Sequence, residues 1–521
     1  MKRIQPPEPV HYADLREVVL HAGTLFPETT FFFSSDPDMP HVTGRELRAY
    51  CGRFGVWAQR EELSGAHFAI LGPNGAAWLS CYFAVICSGQ VAVPLHLGTK
   101  AEELESCIRR SDSAVLLYDR SCEAEAEALR QAIPELKTLE FHALLQALSA
   151  ITEETWPELG QDDLAALYFT SGTTAQSRCV MLTHRNMGSH CSAALSLLPL
   201  SPTDSGLSVM PPSHTFEIMS NIVGVLHCGG KMYINESLLT VKSNLKEYEP
   251  SHLVVVPLVL QSLRREILRT AKRAGKLDAL QKKLERNALC LRTGEDLRYD
   301  LFRSASEVVG RNLRYFLCGG ATLDPELIAF FRCLGIMVIQ GYGITECSPV
   351  VAINLPYANR YGSIGRTLPC CETAIIDGEI CVRGDSVSPG YYKDPAANAE
   401  AYRDGWFHTG DLGRKDADGY LWFTGRKKNL IVLSNGENVS PEMLEERLYR
   451  VDGVVDALVY EEKGKITAEI YADRNVLPDR ESVWQEIDRI NRALAPHEHI
   501  GELVLRSEPF EKTATQKIKR Y

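Results

Sequence analysis

The chain has no long apolar run, no paired-cysteine motif and no surplus of positive charge, and each absence removes a class of function. With 56 Lys and Arg against 67 Asp and Glu, the net charge of −11 repels a polyanion at long range. Nucleic acid is therefore a poor partner, and any bound nucleotide must rely on a local basic pocket. The 15 cysteines form no C-x-x-C pair, and none follows Cys381. Such an odd, scattered set reads as reduced, buried thiols of a cytoplasmic protein, with the adjacent Cys370 and Cys371 as packing residues. The start "MKRIQPPEPVHYADL" is basic but has no apolar segment behind it, so no signal peptide is expected. The most apolar helical run, Ala76 to Gly89, is too short to span a bilayer and reads as a buried helix.

What remains is a globular composition, 45% hydrophobic and 24% charged, in a chain of 521 residues. That length is too great for one compact core, so at least two domains are expected. "AHFAILGPNGAAWLSCYFAVICSGQVAVPL" reads as strand, glycine turn, helix, glycine stop and strand. "HLVVVPLVLQSLRREILRTAKRAG" and "LRYFLCGGATLDPELIAFFRCLGIMVIQGYG" repeat the alternation, which predicts an α/β fold of helix-covered sheets. In the last of these, Asp324 and Pro325 predict a capped helix start, Leu327, Phe330, Phe331 and Leu334 share a face, and Gly335 ends the helix. Gly319, Gly320 and Tyr342 then fall at strand ends, where α/β proteins place ligands. The cations between Arg264 and Arg286 read as a solvated helix face, with weak attraction to an anionic membrane as the minority reading.

From Lys428 the pattern changes to a small α+β unit. A helix begins at Ser440-Pro441, strands "VVDALVYEE" and "KITAEIYAD" flank Lys463-Gly464, and a helix runs near Ser482 to Leu494. The predicted organisation is a large domain over 1–427, a small mobile domain over 428–521 and a hinge at Lys428.

"YFTSGTTAQSR", from Tyr168 to Arg178, crowds Thr170, Ser171, Gly172, Thr173 and Thr174 before a cation. Hydroxyls, free backbone N–H groups and a guanidinium suit phosphate oxygens. No Gly-Lys-Ser/Thr closes the stretch, so nucleotide binding here needs an architecture other than a P-loop. Four further stretches hold polar residues that an apolar core would not select: "PPSHTFE" (Pro211 to Glu217), "GYGITE" (Gly341 to Glu346), "WFHTGDLG" (Trp406 to Gly413), and "FTGRKKN" with terminal "EKTATQKIKR". Singly, each has a bland reading as a core histidine, a helix start, a turn residue or tail charge.

Together and in this order, from about Thr43 to Lys519, they resemble the acyl-adenylate-forming superfamily. That superfamily includes acyl-CoA synthetases, firefly luciferase and the adenylation domains of peptide synthetases, and this chain is most similar to the long-chain fatty-acyl-CoA synthetases. The resemblance implies ATP, Mg²⁺ and CoA as cofactors and a carboxylic acid as substrate. It implies that Thr170 to Thr174 and Arg178 hold the β- and γ-phosphates, Thr345 contacts the α-phosphate and Glu346 holds Mg²⁺. Gly319, Gly320, Ala321, Gly341, Tyr342 and Gly343 would flank adenine, and Asp411 with Arg426 would hold the ribose. Lys517, on the mobile domain, would stabilise the transition state of adenylation, with His214, Thr345 and Glu346 completing the catalytic set.

The acid is expected to be apolar, with Phe216, Met219, Ser220, Val223 and Gly224 forming its pocket. Glu217 is expected to point away from that pocket, although as an ammonium partner it would admit an amino acid. Ser434, Asn435, Gly436 and Glu437 resemble the loop that lines a pantetheine tunnel. Only 31 residues separate Glu346 from Gly378, which leaves little room for the insertion that blocks CoA in some relatives. A carrier-protein phosphopantetheine arm presents the same thiol and stays open as acceptor. The chain departs from the family at Ala175, Gln176, Ser177, Arg178 and Cys179, where many relatives have Gly-x-Pro-Lys-Gly, and at Gln516, where many have Gly. Arg for Lys changes the geometry of phosphate contact. An inactive nucleotide-binding relative is the alternative these departures leave.

Overall fold

A computed structural model describes residues 9–170, 177–198, 200–235, 237, 239–293, 305–321, 323–355, 358–433, 436–512 and 518–520. Two large sheets organise the first four-fifths of the chain. The first has six strands in the order Lys137–Glu140, Ser113–Tyr118, His67–Leu71, Val91–Pro94, Leu164–Thr170 and Arg178–Thr183. All neighbours are parallel except the last pair, an antiparallel hairpin that brackets 171–177. The helix Ala76–Cys87 crosses between two of these strands, and all twelve of its residues are buried, as its unbroken apolarity predicts.

The second sheet combines two styles. Thr30–Phe33, Lys231–Ile234, Ser205–Ser208, His252–Val255, Tyr315–Cys318 and Met337–Gly343 run parallel. From Met337–Gly343 onward the neighbours Val350–Ile353, Gly365–Thr367, Tyr420–Arg426 and Trp406–Lys415 are antiparallel. The strand that carries the "GYG" segment is thus where the parallel and antiparallel halves meet. The helix Pro325–Cys333 starts as predicted, with the Asp324 carboxylate accepting from Glu326 N at 2.9 Å.

The C-terminal unit has its own apolar core. Helices Pro441–Tyr449 and Arg480–Asn491 cover the three-stranded sheet of Val454–Glu462, Lys465–Ala472 and Glu502–Leu505. It meets the larger part through ion pairs such as Arg450–Asp324 at 3.3 Å and Arg269–Asp473 at 3.7 Å. Arg269 belongs to the basic run, which folds as the helices Pro257–Arg273 and Leu277–Thr293. The fourteen cysteines whose side chains are described are free thiols, and thirteen of them are buried. No helix among the described residues is long and apolar enough to cross a membrane.

Buried imidazoles make the stability of this fold depend on pH. Burial lowers the pKa of His190 to about 3 and those of His227 and His252 to about 4. Below about pH 6.5 the unfolded chain takes up protons that the folded chain refuses, so stability falls as pH falls toward 4, by roughly 1 kcal/mol per pH unit for each imidazole. Buried Glu217, raised to about 8, and Glu445, raised to about 7, act in the opposite sense. They favour the folded state at low pH, and that contribution is lost as pH rises from about 4.5 through 7 to 8. A single substitution isolates the imidazole share: in urea unfolding, the midpoint at pH 5 relative to pH 7 is expected to be higher in His190→Gln than in the wild type, and an equal change in both would remove His190 from the pH dependence.

Candidate active site

The hairpin places Thr170 directly opposite Arg178, with the Thr170 hydroxyl donating to the Arg178 carbonyl at 3.4 Å. Ser171, Gly172, Thr173 and Thr174, with Ala175 and Gln176, lie outside the described residues. The Arg178 guanidinium stacks over the Tyr391 ring at 4.9 Å and donates to the Tyr391 hydroxyl at 3.3 Å. Its other terminal nitrogen pairs with Glu400 at 3.2 Å. Tyr391 in turn donates to Glu346 Oε1 at 2.9 Å.

One tyrosine therefore joins the cation at the foot of the candidate phosphate stretch to the carboxylate expected to hold Mg²⁺. Burial raises the Glu346 pKa, and the Tyr391 bond and the charges of Arg178 and Arg426 pull it back only in part. Because Arg178 bonds Tyr391 rather than Glu346, the carboxylate keeps capacity for a hard cation, for which oxygen ligands are suited. Thr345, in the same short turn Thr345–Cys347, lies beside it.

Tyr391 and Glu400 are site residues that the motif reading missed. The signal was the "SPGYY" stretch, whose Gly390 carbonyl accepts from Met181 N at 3.0 Å and so sets the segment against the hairpin. Tyr391→Phe is expected to lower kcat/KM for adenylation on the order of tenfold, because it deletes a hydrogen bond to a carboxylate. Steady-state kinetics would check this, and an unchanged value would remove Tyr391 from the site.

On the adjoining strands the Asp411 carboxylate, 2% exposed, accepts from the Tyr342 hydroxyl at 2.8 Å and pairs with Arg426 Nε at 3.1 Å. Asp411 and Arg426 are register partners on Trp406–Lys415 and Tyr420–Arg426, which explains why motifs 15 residues apart converge. Gly341, Tyr342 and Gly343 end their strand beside this pair. A Cβ on Gly343 would lie 2.0 Å from the Pro349 carbonyl oxygen, so the close backbone approach excludes every other residue there. Gly319 is buried against the Phe216 ring, while Gly320, at φ +82°, and Ala321 face solvent.

His214 caps the turn from Pro211, its N–H donating to the Pro211 carbonyl at 3.0 Å. Its ring lies 4.5 Å from that of His96, another residue the motifs did not mark. The helix that follows is interrupted by a widened turn at Ile218–Ile222. At a 3.6-residue repeat, Phe216, Met219, Ser220 and Val223 share one face, but the widened turn breaks that register. Phe216 and Ser220 line an apolar cavity with Leu197, Leu198, Ile339 and Leu368, whereas Met219 and Val223 pack in the core. A Cβ on Gly224 would lie 3.0 Å from Leu200 Cδ1. The cavity holds about 20 Å³, room for about one water, so an acyl chain requires it to open. Glu217 is fully buried, accepts from Asn221 at 2.8 Å and does not line the cavity.

Lys428 lies in the single turn Lys427–Asn429 that leads from the last strand of the large sheet into the C-terminal unit. Partial burial and the charges of Arg426 and Arg178 lower its pKa. Ser434 and Asn435 lie outside the described residues. Gly436, at φ +83°, donates to the Leu433 carbonyl at 2.8 Å, and a Cβ there would meet only open space. Its glycine answers to the left-handed turn, while Glu437 approaches His497 at 3.3 Å. Lys517 also lies outside the described residues, but described residues on either side of it are held. Lys512 pairs with Asp456 at 2.7 Å and bridges to Ile518, and Arg520 bonds both oxygens of Glu445 at 2.6 Å.

The chain resembles proteins of known activity in both sequence and fold. It is 30% identical to the long-chain-fatty-acid–CoA ligase FadD15 of Mycobacterium bovis over 74% of this chain and 69% of that one. It is 31% identical to human long-chain-fatty-acid–CoA ligase 1 over 62% of this chain and 49% of that one, so it spans about half the length of some of the ligases it matches. The anthranilate CoA ligase AuaEII in complex with anthranoyl-AMP shares the fold at 20% identity, with a TM-score of 0.81 over 98% of this chain and 96% of that one. The O-succinylbenzoate CoA synthetase of Bacillus subtilis in complex with AMP does so at 23% identity, with a TM-score of 0.77 over 99% and 97%. The sequence profile described as AMP-binding enzyme matches residues 21–392, and the chain belongs to that family.

Proposed function

We propose that this protein is an ATP-dependent, AMP-forming ligase that activates an apolar carboxylic acid, a fatty acid foremost, and transfers it to CoA. The observation that carries the reading is the chain Arg178–Tyr391–Glu346, with the Asp411–Arg426 pair beside it, at the edge where the two halves of the large sheet meet. The long-chain-fatty-acid–CoA ligase names of the relatives and the apolar cavity at Phe216 support the class of acid.

In the first step an acid oxygen attacks the α-phosphorus and the bond to pyrophosphate breaks. Arg178 and the hydroxyls from Thr170 to Thr174 hold the departing phosphates, Thr345 orients the α-phosphate, and Asp411 accepts from the ribose hydroxyls. Mg²⁺, when bound at Glu346, would neutralise charge on the leaving group. Lys517 stabilises the pentacoordinate transition state. In the second step a thiol attacks the acyl carbon and AMP leaves, which requires Lys517 to have swung away.

A boundary near Lys428 is supported by the single turn there and by the separate core of the following unit. The thirteen buried free thiols support a reducing, cytoplasmic location. The test is mass spectrometry of purified protein with ATP, Mg²⁺ and a panel of fatty, aryl and amino acids, with and without CoA. Acyl-CoA from a narrow set of apolar acids is the expected result. Acyl-AMP that ignores CoA would point instead to a carrier-protein acceptor, and the absence of AMP in every reaction would overturn the reading.

A further inference from the structure

His96 follows the strand Val91–Pro94 and is not part of any motif that marks the site. Its Nδ1 lies 2.7 Å from the Ser213 hydroxyl, and its ring packs at 4.5 Å and 36° against the ring of His214. The strand that leads into His96 runs parallel to Leu164–Thr170, with Ala92 the register partner of Ala166, so the imidazole sits beside the end of that strand at Phe169 and Thr170. Burial holds the His96 pKa below the ordinary imidazole value.

A neutral imidazole has one donor and one acceptor, and Nδ1 shares one of these roles with the Ser213 hydroxyl. His96 thus ties the root of the phosphate stretch, at Phe169 and Thr170, to the turn that presents His214, although 44 positions separate Phe169 from Ser213 and neither segment pairs with the other in a sheet.

We infer that His96 is a positioning residue for the first half-reaction: it fixes the distance between the phosphate-binding root and the His214 turn, and so aligns the acid with ATP. The inference rests on the ligase reading above. It has a specific kinetic consequence, because alignment of two separate reactants matters only until they are joined. Misplacement by about 1 Å costs up to about a hundredfold in such a step. Once acyl-AMP exists, its acyl and adenylate parts are held together by a covalent bond, and CoA transfer no longer depends on that alignment.

The experiment compares wild type, His96→Phe and His96→Gln in two assays: acyl-AMP formation from ATP and the best acid, and CoA transfer from supplied acyl-AMP. His96→Phe is expected to lower the rate of acyl-AMP formation about 10- to 100-fold, with KM for ATP within about twofold and CoA transfer preserved. His96→Gln, which keeps a donor and an acceptor, is expected to recover most of the loss. Unchanged acyl-AMP formation in His96→Phe overturns the inference. So does an equal loss in both assays, or a glutamine variant no better than phenylalanine, since each marks His96 as packing alone. A wild type that forms no acyl-AMP with any acid overturns the ligase reading and this inference with it, whereas an active wild type confines a failure to His96.

Discussion

Lys517→Ala is expected to lower acyl-AMP formation by a hundredfold or more while leaving CoA transfer from supplied acyl-AMP nearly intact. A cation placed on the charge that develops at the α-phosphate contributes several kcal/mol to the transition state and little to the ground state, so the loss falls on kcat rather than on ATP binding. The substitution should not disturb the fold. The flanking residues are held by Lys512–Asp456 and by Arg520 on Glu445, neither of which involves Lys517. Rapid-quench measurement of acyl-AMP, with a parallel thermal melt, decides the matter. Equal losses in the two half-reactions would mean that Lys517 does not divide its time between a catalytic and a withdrawn position.

Asp411→Asn is expected to weaken ATP binding about 10- to 100-fold. The carboxylate already accepts from Tyr342 and pairs with Arg426, and its remaining lone pairs are the proposed ribose acceptors. An amide replaces one acceptor oxygen by a donor that cannot satisfy both the Tyr342 hydroxyl and the Arg426 N–H, and hydrogen bonds to charged groups contribute about 1.5–3 kcal/mol each. Because Asp411 is 2% exposed, the same change also lowers the melting temperature. Tyr342→Phe separates the two effects, since it removes the contact within the protein and leaves the carboxylate for the ribose. Calorimetric titration with ATP should show a large loss for Asp411→Asn and a small one for Tyr342→Phe. Equal losses would assign Asp411 to structure rather than to the nucleotide.

The parts of the fold and of the candidate site that were legible beforehand share a local signature. Asp324-Pro325 marks a helix start because capping and a fixed φ act within one turn. The twelve buried residues of Ala76–Cys87 follow from an unbroken apolar run. Thr170, Arg178, Glu346, Asp411 and Arg426 stood out as polar or charged residues in stretches that flank strands. The proposed acyl pocket was less legible, since Phe216 and Ser220 line the apolar cavity while Met219 and Val223 are buried outside its lining. Gly436 likewise serves the turn of its loop rather than a crowded approach.

From the sequence alone came the α/β alternation, the change of style after Lys428, the family resemblance and the order of the polar motifs. Each rests on interactions between residues close in the chain, or on residue types in a fixed order. Tertiary structure alone decided that Tyr391 joins Arg178 to Glu346 and that His96, at the end of the strand beside Leu164–Thr170, meets Ser213. These partners lie on different strands, turns and helices, brought together by sheet order and strand register. No local propensity encodes such a meeting, because it is fixed by the packing of the whole core.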